Sequence, residues 1–291
     1  MNSIKRIRGI SERNRKLLTN LHRGTSGPFT PQEATNLLHL NIDKTHKFLA
    51  YLADKGWLTH VRRGLYSTVP LDVLEPTSWK EDPWIIASKV FPPCYIGGWT
   101  ACEHWGLTEQ IFKETIVISS RPVRRRHIEI QGVHFIIKVV SNNKLFGTDA
   151  VWRGRTRVTI SDPSRTIVDV FDDPNIGGGI RNVSDILQSY LSHTHRNDSL
   201  LLGYAHRLGN RSVFKRLGYL LEAMNVGEAN LIDECRKSIS TGISLLDPTA
   251  THKGRVVRKW NLRINVNLDS AKETNLDKQN GAEREGSRMG S

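Results

Sequence analysis

Residues 29–69 have the sequence FTPQEATNLLHLNIDKTHKFLAYLADKGWLTHVRRGLYSTV, and this segment decides the fold of the amino-terminal quarter. Thr30, Pro31 and Glu33 match the N-cap, first and third positions of a helix start. A second helix is predicted from about Asp43 to Lys55, where Gly56 ends it. Its inward-facing positions recur at spacings of three, four and seven residues: Thr45, Phe48, Leu49 and Leu52. The two helices and their short connection predict a helix-turn-helix.

A β-hairpin is predicted directly after the helix-turn-helix. Residues 57–61 and 65–69 are rich in β-forming side chains, and the turn between them contains Gly64. An earlier helix, capped by Ser11 and ending near Gly24, completes three helices and a hairpin. This is the minimum set of elements for a winged helix.

The exposed face of the second helix is the predicted DNA reader. A helix fits the major groove of B-DNA, and exposed side chains near its start reach the base edges. The candidate groove residues are Lys44, Lys47 and Tyr51, with His46 beside them. Arg62 and Arg63 at the hairpin tip are expected to contact the DNA backbone or the adjacent minor groove. The alternative is an ordinary helical hairpin with a solvated basic face.

Positive charge is concentrated in the amino-terminal quarter of the chain. The 291-residue chain has a net charge of +13, and residues 1–70 hold twelve Lys and Arg against four Asp and Glu. A pI of about 9.9 indicates a polyanionic partner. The asymmetry favours nucleic acid over a generally basic surface.

Three cysteines, Cys94, Cys102 and Cys235, form neither a metal-binding pair nor a disulfide framework, as expected in a reducing cytosol. No apolar run has the roughly 18–20 residues needed to span a bilayer. The basic start of the chain lacks the apolar core of a signal peptide. We therefore expect a cytoplasmic protein with no membrane partner.

The fold class predicted for the whole chain is α+β, with the winged helix followed by a larger mixed α/β domain. Residues 1–70 form the winged helix, and a proline-containing linker follows at 71–83. The second domain covers 84–268. The polar tail, 269–291, is expected to be disordered.

Candidate catalytic groups are few, and no cofactor, metal or enzymatic activity is predicted. The chain has no P-loop and no HExxH motif. Asp162 with Ser164 and Arg165 resembles a catalytic cluster, but an N-cap explains Asp162 more simply. His193 and His195 lack the further ligands of a metal site. Residues 177–179 are three glycines, and without a lysine they predict a flexible loop rather than a phosphate cradle.

A second basic cluster lies in a loop between predicted strands. It contains Arg121, Arg124, Arg125 and Arg126. The cluster is a possible second nucleic-acid patch, contacting operator DNA beside the main site or an RNA shared with a toxin. A solvated charged loop is the equal alternative.

The order of motifs along residues 10–265 resembles the AbiEi family of antitoxins, from the AbiE phage-defence (abortive infection) systems. The motifs that carry the resemblance are Arg62-Arg63-Gly64-Leu65-Tyr66, Tyr95 to Ala101, Gly106-Leu107-Thr108, Gln110, Thr115 to Ser119, and Asp162 to Asp169. The resemblance implies a winged helix that binds inverted repeats in the promoter and represses its operon. It further implies a carboxy-terminal domain that counteracts a nucleotidyltransferase-like toxin in a type IV system, without stable binding to it.

Besides covalent modification of the toxin by the second domain, two other functions remain open from the residues. One is a stand-alone transcriptional regulator whose second domain senses a small molecule. The other is a nucleic-acid-processing enzyme directed to its substrate by the winged helix, although the chain has no Asp/Glu-x-Lys tripeptide of a restriction-type nuclease.

Overall fold

The computed structural model describes residues 10–70, 73, 75 and 78–268. The predicted tail and part of the predicted linker lie outside the described residues. The chain is mixed α+β, which confirms the predicted fold class. It divides into two compact units, one of Met1–Thr100 with Phe112–Ser161 and one of Ala101–Ile111 with Asp162–Ser291.

This division differs from the predicted one, which separated residues 1–70 from 84–268. The first unit contains both the winged helix and a β-sheet, and polar contacts are found between them. Arg155, next to the sheet, donates hydrogen bonds to the carbonyls of His22 and Arg23 at 3.0 and 3.1 Å. The second unit is helical, and we call it the helical unit.

The winged helix has the predicted elements in the predicted order. They are α1 (Glu12–Gly24), α2 (Pro31–Leu38), α3 (Ile42–Asp54), β1 (Leu58–Arg62) and β2 (Leu65–Thr68). Thr30 and Glu33 form the predicted capping box of α2. The core is a cluster of buried side chains from all three helices and β1: Leu18, Leu21, Phe29, Ala34, Leu38, Phe48, Leu49, Leu52 and Leu58.

The rest of the first unit is helix α4 (Pro83–Val90) and a six-stranded sheet. The strands are β3 (Cys94–Ile96), β4 (Glu114–Ser119), β5 (His127–Ile130), β6 (Val133–Val139), β7 (Thr148–Arg153) and β8 (Thr156–Ser161). Their order in the sheet is β5-β6-β4-β3-β8-β7. The β4–β6 and β3–β8 pairs are parallel and the others antiparallel.

Helix α5 (Gly98–His104) follows β3 and passes from the first unit to the second after Thr100, and a 3-10 helix (Asn142–Lys144) precedes β7. Sequence analysis did not identify β7. This strand lies at the sheet edge and is mostly exposed, with Trp152 at 70% exposure. A strand without a buried face shows no alternation of apolar and polar residues, so periodicity cannot find it.

The helical unit is built around α6 (Pro163–Asp172), in which every residue from Pro163 to Phe171 is buried. The other elements are α7 (Ile180–Leu191), α8 (Asp198–Leu208), α9 (Ser212–Met224), α10 (Ala229–Lys237), 3-10 helices at Pro174–Gly177 and Arg258–Trp260, and strands β9 (Ser244–Leu245), β10 (Arg255–Val257) and β11 (Leu262–Ile264). The three strands form one small sheet. Gly218 permits the close approach of Trp260, since a Cβ there would lie 2.2 Å from the indole ring.

None of the helices in the described part of the chain is both long enough and apolar enough to cross a bilayer.

Candidate nucleic-acid interface

Helix α3 has one buried and one basic side. Thr45, Phe48, Leu49 and Leu52 are buried, as the spacing predicted. Lys44, His46 and Lys47 are exposed. Neither lysine forms an ion pair with a carboxylate in the described ranges of the chain. Their ammonium groups are therefore available to an external anion.

The start of α3 is capped by a side chain that the sequence pattern did not identify as its N-cap. The helix begins at Ile42, one residue earlier than predicted, because Asn41 is the N-cap and accepts a hydrogen bond from the backbone N–H of Lys44 at 2.8 Å. His39 ends α2 in a left-handed conformation, φ 52°. This tight connection places the first turn of α3, which carries Lys44, next to solvent.

Tyr51 differs from the other predicted groove residues. It is half-buried and packs against the core of the winged helix. The Lys55 ammonium lies 5.9 Å from the centroid of its ring. Part of the tyrosine is therefore occupied in packing, and the sequence pattern could not show this because Tyr51 lies at the boundary between the two sides of α3.

The hairpin is anchored to the helix-turn-helix as a wing. Phe29, just before α2, forms two backbone hydrogen bonds with Tyr66 of β2, at 2.7 and 2.9 Å. Gly64 takes a left-handed φ of 71° in the turn, which L side chains adopt at a cost. Arg62 and Arg63 are exposed at this tip. The backbone of the wing is therefore attached to the segment just before α2, and both arginines lie at its exposed tip.

The second basic cluster is also exposed. Arg124, Arg125 and Arg126 lie between β4 and β5, and Arg121 begins the same loop. Arg121 is held at its base: its backbone N–H donates to Ser119 Oγ at 2.9 Å and its Nη1 donates to the Val90 carbonyl at 3.0 Å. Like the wing, this loop belongs to the first unit.

A residue that sequence analysis missed connects the sheet to the wing. Gln131 lies in the β5–β6 turn with φ 52°, and its side-chain amide donates to the His60 carbonyl at 3.2 Å and to Thr59 Oγ1 at 3.5 Å. Its side-chain oxygen accepts from the backbone N–H of Glu81 at 3.1 Å. The Gln131-Gly132 pair between two strands signalled the turn, but nothing in the sequence signalled its contact with β1.

The groups that resemble a catalytic cluster have structural roles. Asp162 is the N-cap of α6, as predicted, and accepts from the Arg165 backbone N–H at 2.8 Å and from Tyr204 at 2.9 Å. Ser164 lies 2.9 Å from the Tyr190 hydroxyl. Arg165 is 1% exposed and pairs with Asp169 at 2.9 Å. These contacts stabilise the start of α6.

Two further sets of residues also have roles in packing or capping. His193 Nε2 lies 3.0 Å from the Trp105 carbonyl, and His195 lies beside it. The three glycines lead into α7, where the carboxylate of Asp247 accepts from the Ile180 N–H at 2.9 Å. An internal anion thus occupies the position that a phosphate takes at a helix start.

The cysteines and metal-ligating groups give no other site. All three cysteines are free thiols, and burial raises the pKa of the Cys94 thiol to about 12. Burial likewise raises the pKa of Cys102, with a contribution from the charge of Asp169. A search of the described residues finds no group of three His, Cys, Asp or Glu side chains placed to hold a metal ion.

Comparison with known proteins identifies a fold. No protein-family model matches the chain, and no curated protein matches it. The crystal structure of the RV2827C protein from Mycobacterium tuberculosis is similar to it, with a TM-score of 0.57, 14% sequence identity, and coverage of 89% of this chain and 93% of that one. At this identity the similarity shows a shared fold alone. The chain therefore has the α+β fold of that protein over most of both lengths.

Proposed function

We propose that this protein binds duplex DNA through α3 and the wing, and that it represses transcription from its own promoter. The observation that carries the proposal is the pair Lys44 and Lys47, exposed and without a carboxylate partner in the described residues, on a helix whose other side is buried. A helix held in this way presents its charge to a major groove. Arg62 and Arg63 on the wing supply phosphate contacts beside it.

Binding to DNA is tested directly with the full chain. Duplexes from the region upstream of its own gene, and shuffled duplexes of the same composition, are titrated by fluorescence anisotropy at several salt concentrations. We expect tighter binding to the upstream duplexes, weakening steeply with salt because cations are released from phosphates. Lys44→Ala with Lys47→Ala should abolish the preference. Lys253→Ala, which removes an exposed lysine of the helical unit, is the control. Equal binding to both sets of duplexes would contradict the proposal.

The resemblance in motif order supports a second activity, as an antitoxin. We propose that the part of the chain after the winged helix counteracts a nucleotidyltransferase-like toxin, without stable binding to it. Co-expression with the product of an adjacent gene of that class should restore growth that the toxin alone arrests. The Lys44→Ala, Lys47→Ala variant should still restore growth, because the two activities use different residues. Failure of the unmodified chain to restore growth would contradict this activity.

One observation favours the ligand-sensing regulator as a second candidate. A cavity of about 530 Å³ lies within the first unit, between α2 and α4, and is lined by residues that include Leu37, Ile85 and Thr156. The Thr156 hydroxyl is buried and makes no hydrogen bond within the described residues. A cavity of this size suits a small molecule. The adjacent gene discriminates: a nucleotidyltransferase-like neighbour supports the antitoxin, and an orphan gene supports the regulator.

A further inference from the structure

The wing arginines, Arg62 and Arg63, belong to the same compact unit as the loop of residues 121–126, which we call the arginine loop. None of the six arginines of this set has a carboxylate partner in the described parts of the chain: Arg62, Arg63, Arg121, Arg124, Arg125 and Arg126. Elsewhere in the unit, Arg153 pairs with Asp82 at 2.8 Å. The wing and the loop thus leave their positive charge uncompensated, as do Lys44 and Lys47 of α3.

The wing is held beside the sheet that carries the arginine loop. Gln131 donates to His60 and Thr59 of β1, so it joins the β5–β6 hairpin to the wing at two points, and it also accepts from the backbone N–H of Glu81. The backbone N–H of Ile137 donates to the Arg126 carbonyl at 2.7 Å, which fixes the end of the loop to the same hairpin. The wing and the loop are therefore both attached to the β5–β6 hairpin.

Arg121, at the start of the arginine loop, is fixed by the hydrogen bond that its Nη1 donates to the Val90 carbonyl at 3.0 Å. Partial burial lowers the pKa of Arg62, and the positive charge of Arg121 lowers it further. The direction of this shift agrees with the attachment of the wing and the loop to the same hairpin.

We infer that the wing arginines and the arginine loop form one phosphate-binding surface that follows duplex DNA beyond the base pairs contacted by α3. This inference rests on the proposed function and extends it, because it assigns the arginine loop to operator DNA rather than to RNA or a toxin. Arginines in such a surface neutralise phosphates without reading bases. The surface should therefore increase affinity and salt dependence for any flanking sequence.

Two duplexes test the inference. The short duplex contains only the base pairs that α3 contacts, and base substitutions in the operator identify them. The long duplex adds about ten base pairs, one helical turn, at each end. Arg124→Ala, Arg125→Ala and Arg126→Ala are combined in one variant. We expect this variant to bind the short duplex like the unmodified protein and to lose the additional affinity for the long one. Each lost phosphate contact should change the salt slope by about 0.9, or about threefold in relative affinity between 50 and 200 mM salt.

A matched control removes the same charge from the helical unit. It combines Arg236→Ala, Lys253→Ala and Arg258→Ala, three exposed cations of that unit. This control should keep the salt slope of the unmodified protein on the long duplex. An equal change in both triple variants would overturn the inference, because net charge rather than position would then explain the binding.

A second variant changes the contact between Gln131 and the wing and leaves the arginines in place. Gln131→Asn keeps a residue that tolerates the left-handed turn, but its shorter side chain withdraws from the carbonyl of His60. We expect weaker binding to the long duplex with unchanged binding to the short one.

Two results overturn the inference and leave the proposed function standing. One is a loop variant that binds both duplexes like the unmodified protein. The other is a loop variant that loses binding to an RNA duplex, or loses toxin neutralisation, while keeping its affinity for the long DNA duplex. By contrast, an unmodified protein that binds neither duplex contradicts the proposed function itself.

Discussion

In the helical unit the guanidinium of Arg165 is 1% exposed and lies 2.9 Å from the Asp169 carboxylate, whereas Lys44 and Lys47 on α3 are exposed and have no such partner among the described residues. The same contrast extends to Arg216, which is 4% exposed and donates to the Phe171 carbonyl at 2.7 Å. Cations of the first kind complete the fold. Cations of the second kind contribute little to the fold, and the proposed function assigns them to DNA.

The largest expected effect comes from breaking the buried pair. Asp169→Asn leaves the Arg165 charge buried with its closest carboxylate removed, and this should lower the free energy of unfolding by about 3–5 kcal/mol. Urea denaturation followed by circular dichroism measures the change. Glu12→Gln is the control, since it removes an exposed partner of Lys16 and should change stability by less than about 1 kcal/mol. Replacing both residues, with Arg165→Met and Asp169→Leu, should recover much of the loss. If Asp169→Asn and Glu12→Gln lowered the free energy of unfolding equally, the buried and the exposed ion pairs would not differ in their contribution to stability.

The next effect should appear in affinity and leave stability unchanged. Lys47→Ala removes an exposed cation, so the free energy of unfolding should change by less than about 0.5 kcal/mol. Affinity for the operator should fall by about 1–3 kcal/mol if Lys47 contacts a base, with relaxed specificity at one position. A phosphate contact would instead weaken binding to all sequences alike. Anisotropy titrations on single-base variants of the operator distinguish the two cases. A stabilising role for Lys47, seen as a loss above 1 kcal/mol in unfolding, would contradict the comparison.

Local signals explain why the winged helix was predictable from the sequence. The capping box at Thr30 and the stripe of Phe48, Leu49 and Leu52 depend on neighbours within one or two helical turns. The Asp162 cap was predictable for the same reason. Exposure of Lys44 and Lys47 then followed from the burial of the opposite side.

Features that depend on distant residues were not predictable. Gln131 contacts His60 across 71 positions of sequence, and Asp247 caps α7 across 67. No periodicity encodes such contacts. The same holds for the ion pair of Glu33 with Lys89 of α4, which leaves no apolar pattern in the sequence. The half-burial of Tyr51 likewise depends on packing at the edge of α3.

A smaller effect is expected for Asp247, whose carboxylate accepts a hydrogen bond from the first backbone N–H of α7. Burial of Asp247 alone would raise its pKa, but hydrogen bonds from Thr249 and Ile180 and the charge of Arg216 lower it overall. The carboxylate therefore contributes stability above its ordinary pKa of 3.8 and loses that contribution as the pH falls through the lowered value. Asp247→Asn should lower the free energy of unfolding by about 0.5–2 kcal/mol at pH 7. The difference from the unmodified protein should shrink towards pH 3, and a constant difference would show that the charge is not responsible.

The smallest expected effect concerns His22 of α1, whose protonation should destabilise the folded protein. Burial lowers the pKa of His22 below 6.5, and the positive charge of Arg155 lowers it further. The unfolded chain then binds more protons than the folded one as the pH falls through 6.5, so protonation should destabilise the fold below that value and have no effect well above it. His22→Gln removes the titrating group, and unfolding measured from pH 8 to pH 5 should decline less steeply in the variant. An identical decline in both proteins would mean that His22 is protonated without cost. The positive charge of Arg155 would then have no measurable effect on the protonation of His22.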